Sequence, residues 1–362
     1  MTNMLDYLVW RGDIPFSASP FNEVDNIILA MLSFIDYAGV VLPGAISAPV
    51  TMTECFNYNN IRFPHGQPFG PIIPNDNNAL LELTALSERF RDTYVVAYRN
   101  EISEDEVKQF SAVTFILPDN SIYVAFRGTD NSIVGWKEDF TMTYAAPTTA
   151  QICAAEYLAD IAASHCGPIR LGGHSKGGNL AVYAAAFAPK EVQERIVMVY
   201  NNDGPGFLSK IVDTDGFTEI KDRVYNIVPQ SSAVGILLEH AGPLHVIEST
   251  ETNGIKQHNP YSWVVRGTQF NHLKDLSRQG KHHDKVVDDW IATSTPEERR
   301  KLTDAIFAVF ESTGAKTLSD ITESKITSAT ALLKAFVGLD KETRDNAITF
   351  IRSLNEAMKY DK

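Results

Sequence analysis

LGGHSKGGNL, residues 171–180, places Ser175 at the centre of a Gly-x-Ser-x-Gly pentapeptide running from Gly173 to Gly177. A short apolar stretch, Ile169 to Leu171, precedes it, and a run of small residues with helical character, LAVYAAAFA (180–188), follows. Strand, glycine-flanked serine, helix is the order that a nucleophile elbow requires. A serine on such a turn has a strained backbone, and glycines on either side let strand and helix approach without Cβ clashes. The pentapeptide by itself is common; its flanks give it meaning.

Outward from this segment, strands and helices alternate. VVAYRN (95–100) and VTFILP (113–118) read as strands, and the polar pair Asp119-Asn120 leads into a third, SIYVAFRG (121–128), so that the last two form a hairpin. An Ala-rich helix covers 150–165. Further strands are expected at RIVMVYNNDGPG (195–206), RVYNIVP (223–229) and PLHVIEST (243–250). This alternation predicts a mainly parallel, doubly wound α/β sheet, with ligands at the carboxyl ends of its strands.

The N-terminal part reads differently. Asn22, Glu23 and Asp25 mark a helix start, and Ile27, Ile28, Met31, Leu32 and Ile35 share one helix face. Leu42 to Asn78, rich in Pro, Gly and Asn, reads as a long irregular excursion, and a helix follows over 79–92. From Asp284 onward the strand signals fade into helical periodicity. The expected division is an N-terminal helix and loop segment (1–78, a cap or lid candidate), an α/β core (79–283) and a helical C-terminal appendage (284–362). That appendage packs on the core or mediates homo-oligomerisation.

Composition narrows the function. The 362 residues carry a formal net charge of −13, with 44% hydrophobic and 21% charged residues, as in an ordinary globular protein. No clustered Lys and Arg exist to replace phosphate counterions, which argues against nucleic acid. No apolar run approaches the ~20 residues of a membrane span, so stable membrane insertion is not expected. No basic segment followed by a long apolar stretch opens the chain. Cys55, Cys153 and Cys166 are unpatterned and read as small core residues, and a cytoplasmic location is expected. His282, His283 and Asp284 read as a solvated turn, so no metal and no cofactor is expected.

A serine hydroxyl needs a base, a group that orients the base, and donors for the oxyanion. Thr129, in VAFRGTD (124–130), and Lys176, which follows the nucleophile, offer backbone N–H groups for an oxyanion hole. The Lys176 side chain, a cation opposing the helix dipole, is expected to meet an anionic headgroup or solvent. For the base, His258 in QHNPYSW (257–263) is preferred. His245 lies within a strand, His174 follows the elbow backbone, and His240 ends a helical run. The acid is Asp203 in NNDGPG, with Glu239 as the alternative; a third option is that Gln230, Ser231 or Ser232 orients the histidine. Phe207, Tyr261 and Trp263 line an acyl pocket or fill the core, and Arg127 ties loops together.

FRGT (126–129), Trp136 with Asp139, and the downstream GHSKGG resemble the class 3 lipases. YLVWRGD, PFNEVD, GHSKGGNLA, NDGPGF, VPQSS and QHNPYSW are similar to an uncharacterised bacterial family of class 3 lipase-like α/β-hydrolases, over roughly residues 5–270. The resemblance implies an α/β-hydrolase fold and a lipase or esterase, with the residue matching Thr129 supplying oxyanion contacts. Class 3 lipases take their acid after the strand corresponding to RVYNIVP, where this chain has Gln230-Ser231-Ser232. The leading expectation is a serine hydrolase of carboxylic or lipid esters. The alternatives are a non-catalytic binding protein on the same fold, and a thioesterase or peptidase.

Overall fold

The computed structural model describes residues 2–44, 46, 48–69, 74–312, 316, 317, 320 and 344. The helical segments expected after residue 312 lie outside these. The chain begins with α1 (Met4–Arg11) and α2 (Glu23–Leu32), then β1 (Val50–Thr51), α3 (Met52–Arg62) and α4 (Asn77–Leu86). Next come β2 (Tyr94–Ser103), β3 (Lys108–Ile116), β4 (Ile122–Phe126), α5 (Ile133–Thr141), α6 (Thr149–Ser164), β5 (Ile169–His174) and α7 (Lys176–Ala186). The chain then runs through α8 (Lys190–Gln193), β6 (Ile196–Asn202), α9 (Ser209–Val212), α10 (Asp215–Ile220), β7 (Val224–Pro229) and β8 (Leu244–Ile247). After α11 (Gly254–Gln257) and a hairpin of β9 (Val265–Arg266) and β10 (Gln269–Phe270) come α12 (Arg278–Thr293) and α13 (Pro296–Ser312).

The eight strands β1 to β8 form one sheet in sequence order. β1 to β4 pair antiparallel, whereas β4 to β8 pair parallel. This is the expected α/β-hydrolase class of fold, with helices on both faces. Period-two alternation sends Ile122, Val124 and Phe126 into one apolar layer with α6, α7 and α10. Tyr123 and Ala125 enter the other layer, with α1 to α4. The parallel strand order never reverses, so right-handed crossovers place their helices on one side. The N-terminal residues cover the second side.

That N-terminal layer is held by a buried ion pair. Arg89 Nε donates to Asp25 Oδ1 at 2.7 Å and its Nη2 to Oδ2 at 2.5 Å, with both side chains essentially inaccessible. Its remaining N–H groups reach the carbonyls of Ile14, Ser19 and Pro20. The bidentate fork satisfies both carboxylate oxygens, the condition for burying charges in a dry interior.

Several local expectations change. The excursion from Leu42 to Asn78 contains α3, because Thr51 and Glu54 form a capping box around its first turn. The helix expected over 79–92 stops at Leu86, where Ser87 turns extended and its hydroxyl bonds back to the Thr84 carbonyl. Strands 95–100 and 113–118 are longer and form a hairpin, β2–β3, in which Glu101 pairs with Lys108 at 3.0 Å. Residues 234–240 are not helical, and residues 282–284 lie within α12 instead of a turn. Cys55 and Cys153 are buried as expected, but Cys166 is exposed. Among the described residues no helix is long and apolar enough to cross a membrane, and no metal-ligating cluster occurs.

Replacing Arg89 with alanine leaves Asp25 as an unpaired charge in a closed interior. Urea denaturation of Arg89→Ala should show a loss of about 3–5 kcal/mol.

Candidate active site

β5 ends at His174 and α7 begins at Lys176, leaving Ser175 alone to make the turn. Its φ of +58° and ψ of −133° are a conformation that an L-residue adopts only under constraint. The constraint is visible in its neighbours. A Cβ on Gly177 would lie 2.1 Å from the Phe126 carbonyl oxygen, and one on Gly173 would lie 2.3 Å from the Gly177 carbonyl carbon. The missing side chains allow helix, elbow and β4 to touch. Asn202 fastens the turn from below, its carbonyl accepting from Ser175 N at 3.0 Å. The Asn202 amide interlocks with Asn26 of α2 and reaches the Gly173 carbonyl.

His258, the C-cap of α11, turns its ring toward the end of β6, where Nδ1 meets Asp203 Oδ2 at 2.7 Å. Asp203 is inaccessible to solvent and also has a positive φ, +52°. Its other oxygen accepts from Ser232 Oγ at 2.5 Å and Gly235 N at 3.1 Å. The carboxylate is thereby fixed from both sides. Among the described residues no hydrogen bond joins Ser175 Oγ to His258.

The other histidines fall out differently. His174 lies against His258, ring centroids 4.5 Å apart, and its Nε2 is 2.8 Å from the His258 carbonyl oxygen. A carbonyl only accepts, so His174 carries its proton on Nε2. Burial, and secondarily the nearby His258, push its pKa well below that of a free imidazole, which keeps it neutral. His245 stacks on Tyr225 at 3.8 Å, on the sheet surface. His240 is pushed down to about 4, chiefly by burial.

Gly128 brings the FRGT loop against the elbow: a Cβ there would lie 3.2 Å from Ser175 Cβ. Thr129 follows directly, and its hydroxyl donates to Asp139 Oδ2 at 2.5 Å. Lys176 is the first residue of α7, where a backbone N–H has no partner within the helix. Its side chain corrects an expectation, because it reaches neither headgroup nor solvent. It is 1% exposed and turns inward to Glu138 Oε2 at 3.2 Å and the Gln109 carbonyl at 2.9 Å.

Glu239 is not brought to the histidine; it is exposed and accepts from Ser209 Oγ. Gln230 pairs with the Ser249 backbone, and Ser231 with Ser277 and Gln257. Ser232 touches Asp203 and not the imidazole. Phe207, Tyr261 and Trp263 are core residues, with Trp263 fully buried. Arg127, expected to tie loops together, bonds Asn100 of β2 and Asp130 of its own loop.

Against this geometry, the sequence profile of the Mbeg1-like family matches residues 84–308, well over half of the chain. The protein belongs to the Mbeg1-like family. This family is lipase-like, and the matched segment of the Mbeg1-like chain spans every residue of the site from Thr129 to His258. Among solved structures, one titled as a crystal structure of M37 lipase is similar at 14% identity and a TM-score of 0.35. That match covers 58% of this chain and 68% of the other. No curated protein matches.

The buried neutral His174 has a consequence for acid stability. Its folded pKa lies below the unfolded value of about 6.5, so the unfolded chain binds the extra proton first. Stability should therefore fall as pH drops below about 6.5, by up to about 1.4 kcal/mol per pH unit from this group. Urea midpoints between pH 7.5 and 5 should decline less steeply for His174→Asn than for wild type.

Proposed function

We propose that this chain is a serine hydrolase of carboxylic esters, acyl lipids among them, working through an acyl-enzyme on Ser175. The observation that carries the proposal is the 2.7 Å contact between His258 Nδ1 and Asp203 Oδ2 beside the serine turn. With Nδ1 committed to the carboxylate, Nε2 is the nitrogen left to take the serine proton. Oγ attacks the ester carbonyl as that proton moves, and Asp203 stabilises the imidazolium. The oxyanion is met by the backbone N–H groups of Lys176 and Thr129. Collapse expels the alcohol, protonated by His258, and water repeats the sequence to release the acid.

Asp203 follows β6, one strand before the position after β7 from which class 3 lipases take their acid. A triad is defined by role, so a carboxylate at the end of β6 serves as well if it reaches the imidazole. A histidine with no carboxylate in reach would favour a non-catalytic binding protein, whereas the Asp203 contact supports the hydrolase reading. Thioester and amide substrates would use the same groups, and a substrate panel separates them.

A fluorophosphonate probe should label the wild type and fail to label Ser175→Ala. Asp203→Asn should retain the fold and hydrolyse p-nitrophenyl butyrate about 10³–10⁴-fold more slowly, since it leaves the imidazolium without a charge partner. A wild type that neither reacts with the probe nor turns over esters would overturn the assignment.

A further inference from the structure

Lys176 has two parts that face in different directions. Its backbone N–H stands at the start of α7, beside Ser175. Its ammonium group is buried at the other side of the helix end, 3.2 Å from Glu138 Oε2 and 3.7 Å from Asp139 Oδ1. Both carboxylates belong to α5. Glu138 is as buried as the lysine, and its oxygens also accept from Gln109 N at 3.0 Å and Ala150 N at 2.7 Å. Asp139 uses its second oxygen to hold the Thr129 hydroxyl.

A chain of contacts therefore runs from Lys176 through Asp139 to Thr129, with Glu138 branching from it as the lysine's nearer partner. It starts and ends on the two residues whose amides form the oxyanion hole in the proposed function. We propose that the Lys176 side chain is a positioning group that sets the distance between these two amides by holding α5 against α7. The inference rests on the serine-hydrolase reading of the site.

An oxyanion hole works only if its donors are fixed before charge develops, because reorganisation during the reaction cancels the gain. Thr129 sits in a loop, and a loop alone does not fix an amide to fractions of an ångström. Asp139, which anchors it, is adjacent to Glu138 on one helix, and the Lys176 ammonium is the counter-charge both carboxylates share. A buried ion pair is a poor source of net stability against an apolar substitute, yet it is intolerant of displacement once formed. That property suits a spacer better than a solvent-facing lysine would. α13 also holds α5: its Phe307 packs edge-on against Phe140, and Arg299 donates to the Thr143 carbonyl just past the helix at 2.8 Å.

Steady-state kinetics with p-nitrophenyl butyrate test the idea. Lys176→Met should fold, as judged by circular dichroism and melting, and lose about 10- to 100-fold in kcat with little change in KM. Lys176→Arg should recover part of the loss. In a Thr129→Val background, which keeps the amide but cuts the contact with Asp139, Lys176→Met should cost distinctly less than in wild type. A folded Lys176→Met with wild-type kcat, or costs that simply add, overturns the proposal. Should Lys176→Met not fold, Glu138→Gln is read by the same kcat criterion. If fluorophosphonate labels wild-type Ser175 while these variants stay fully active, this inference alone falls. If wild type is inert to probe and ester, it falls together with the catalytic reading.

Discussion

The architecture turns on a steric fact at one point, the contact of Gly173 and Gly177 with the main chain of β4. With no side chain at either position, α7 leaves the sheet at a sharp angle and still packs against β4 and β5. Ser175 absorbs the bend in an unfavourable backbone conformation, which its surroundings over-determine. Every other member of the site is located relative to this bend. Gly204 passes so close that a Cβ would sit 2.2 Å from the Ser175 carbonyl oxygen, and Asp203 immediately precedes it. Gly128 makes the corresponding approach from the side of β4. Two glycine-bearing loops converge on one turn, and each brings the polar residue beside its glycine, Thr129 or Asp203, to the site.

Much of the fold was legible because period and punctuation agree along the parallel half. The strands from Ile122 to Ile247 are short and bounded by turns, and the two long helices among them, α6 and α7, are Ala-rich. The antiparallel edge was less legible, since the β2–β3 hairpin turns through residues 104–107, three acids and a valine without the usual glycine signal. α3 was hidden by the prolines and asparagines around it, although Thr51 and Glu54 carried a readable capping box. Coverage of the second sheet face by the N-terminal helices had no local signature, because it depends on contacts such as Asp25 with Arg89 across 64 positions.

At the site, the residues named from sequence were those with motif context: Ser175, His258, Asp203 and the FRGT loop. The roles of the groups that orient them were not, because those roles exist only in three dimensions. Ser232, expected as an option for orienting the histidine, fixes Asp203 instead, together with Gly235, and Glu138 is one acid among many until Lys176 folds onto it. Lys176 itself shows the limit of a one-dimensional argument. Helix-dipole reasoning treats a cation at a first helical position as misplaced and sends it outward. A pair of carboxylates from a distant helix reverses that balance.

The order of the layers also bears on how the chain reaches its folded state. α2 precedes every strand it covers, and Thr2 bonds to the backbone of Val265, a separation of 263 residues. During synthesis the apolar side of α2 leaves the ribosome long before β5 and β6 exist to receive it. Those contacts are among the least local in the molecule, and non-local pairing is slow to form. Nascent chains with such exposed apolar helices are natural clients for chaperones. The layer that closes the sheet is thus made before the strands it covers, and Asn26 can reach Asn202 under the serine turn only once β6 has been synthesised.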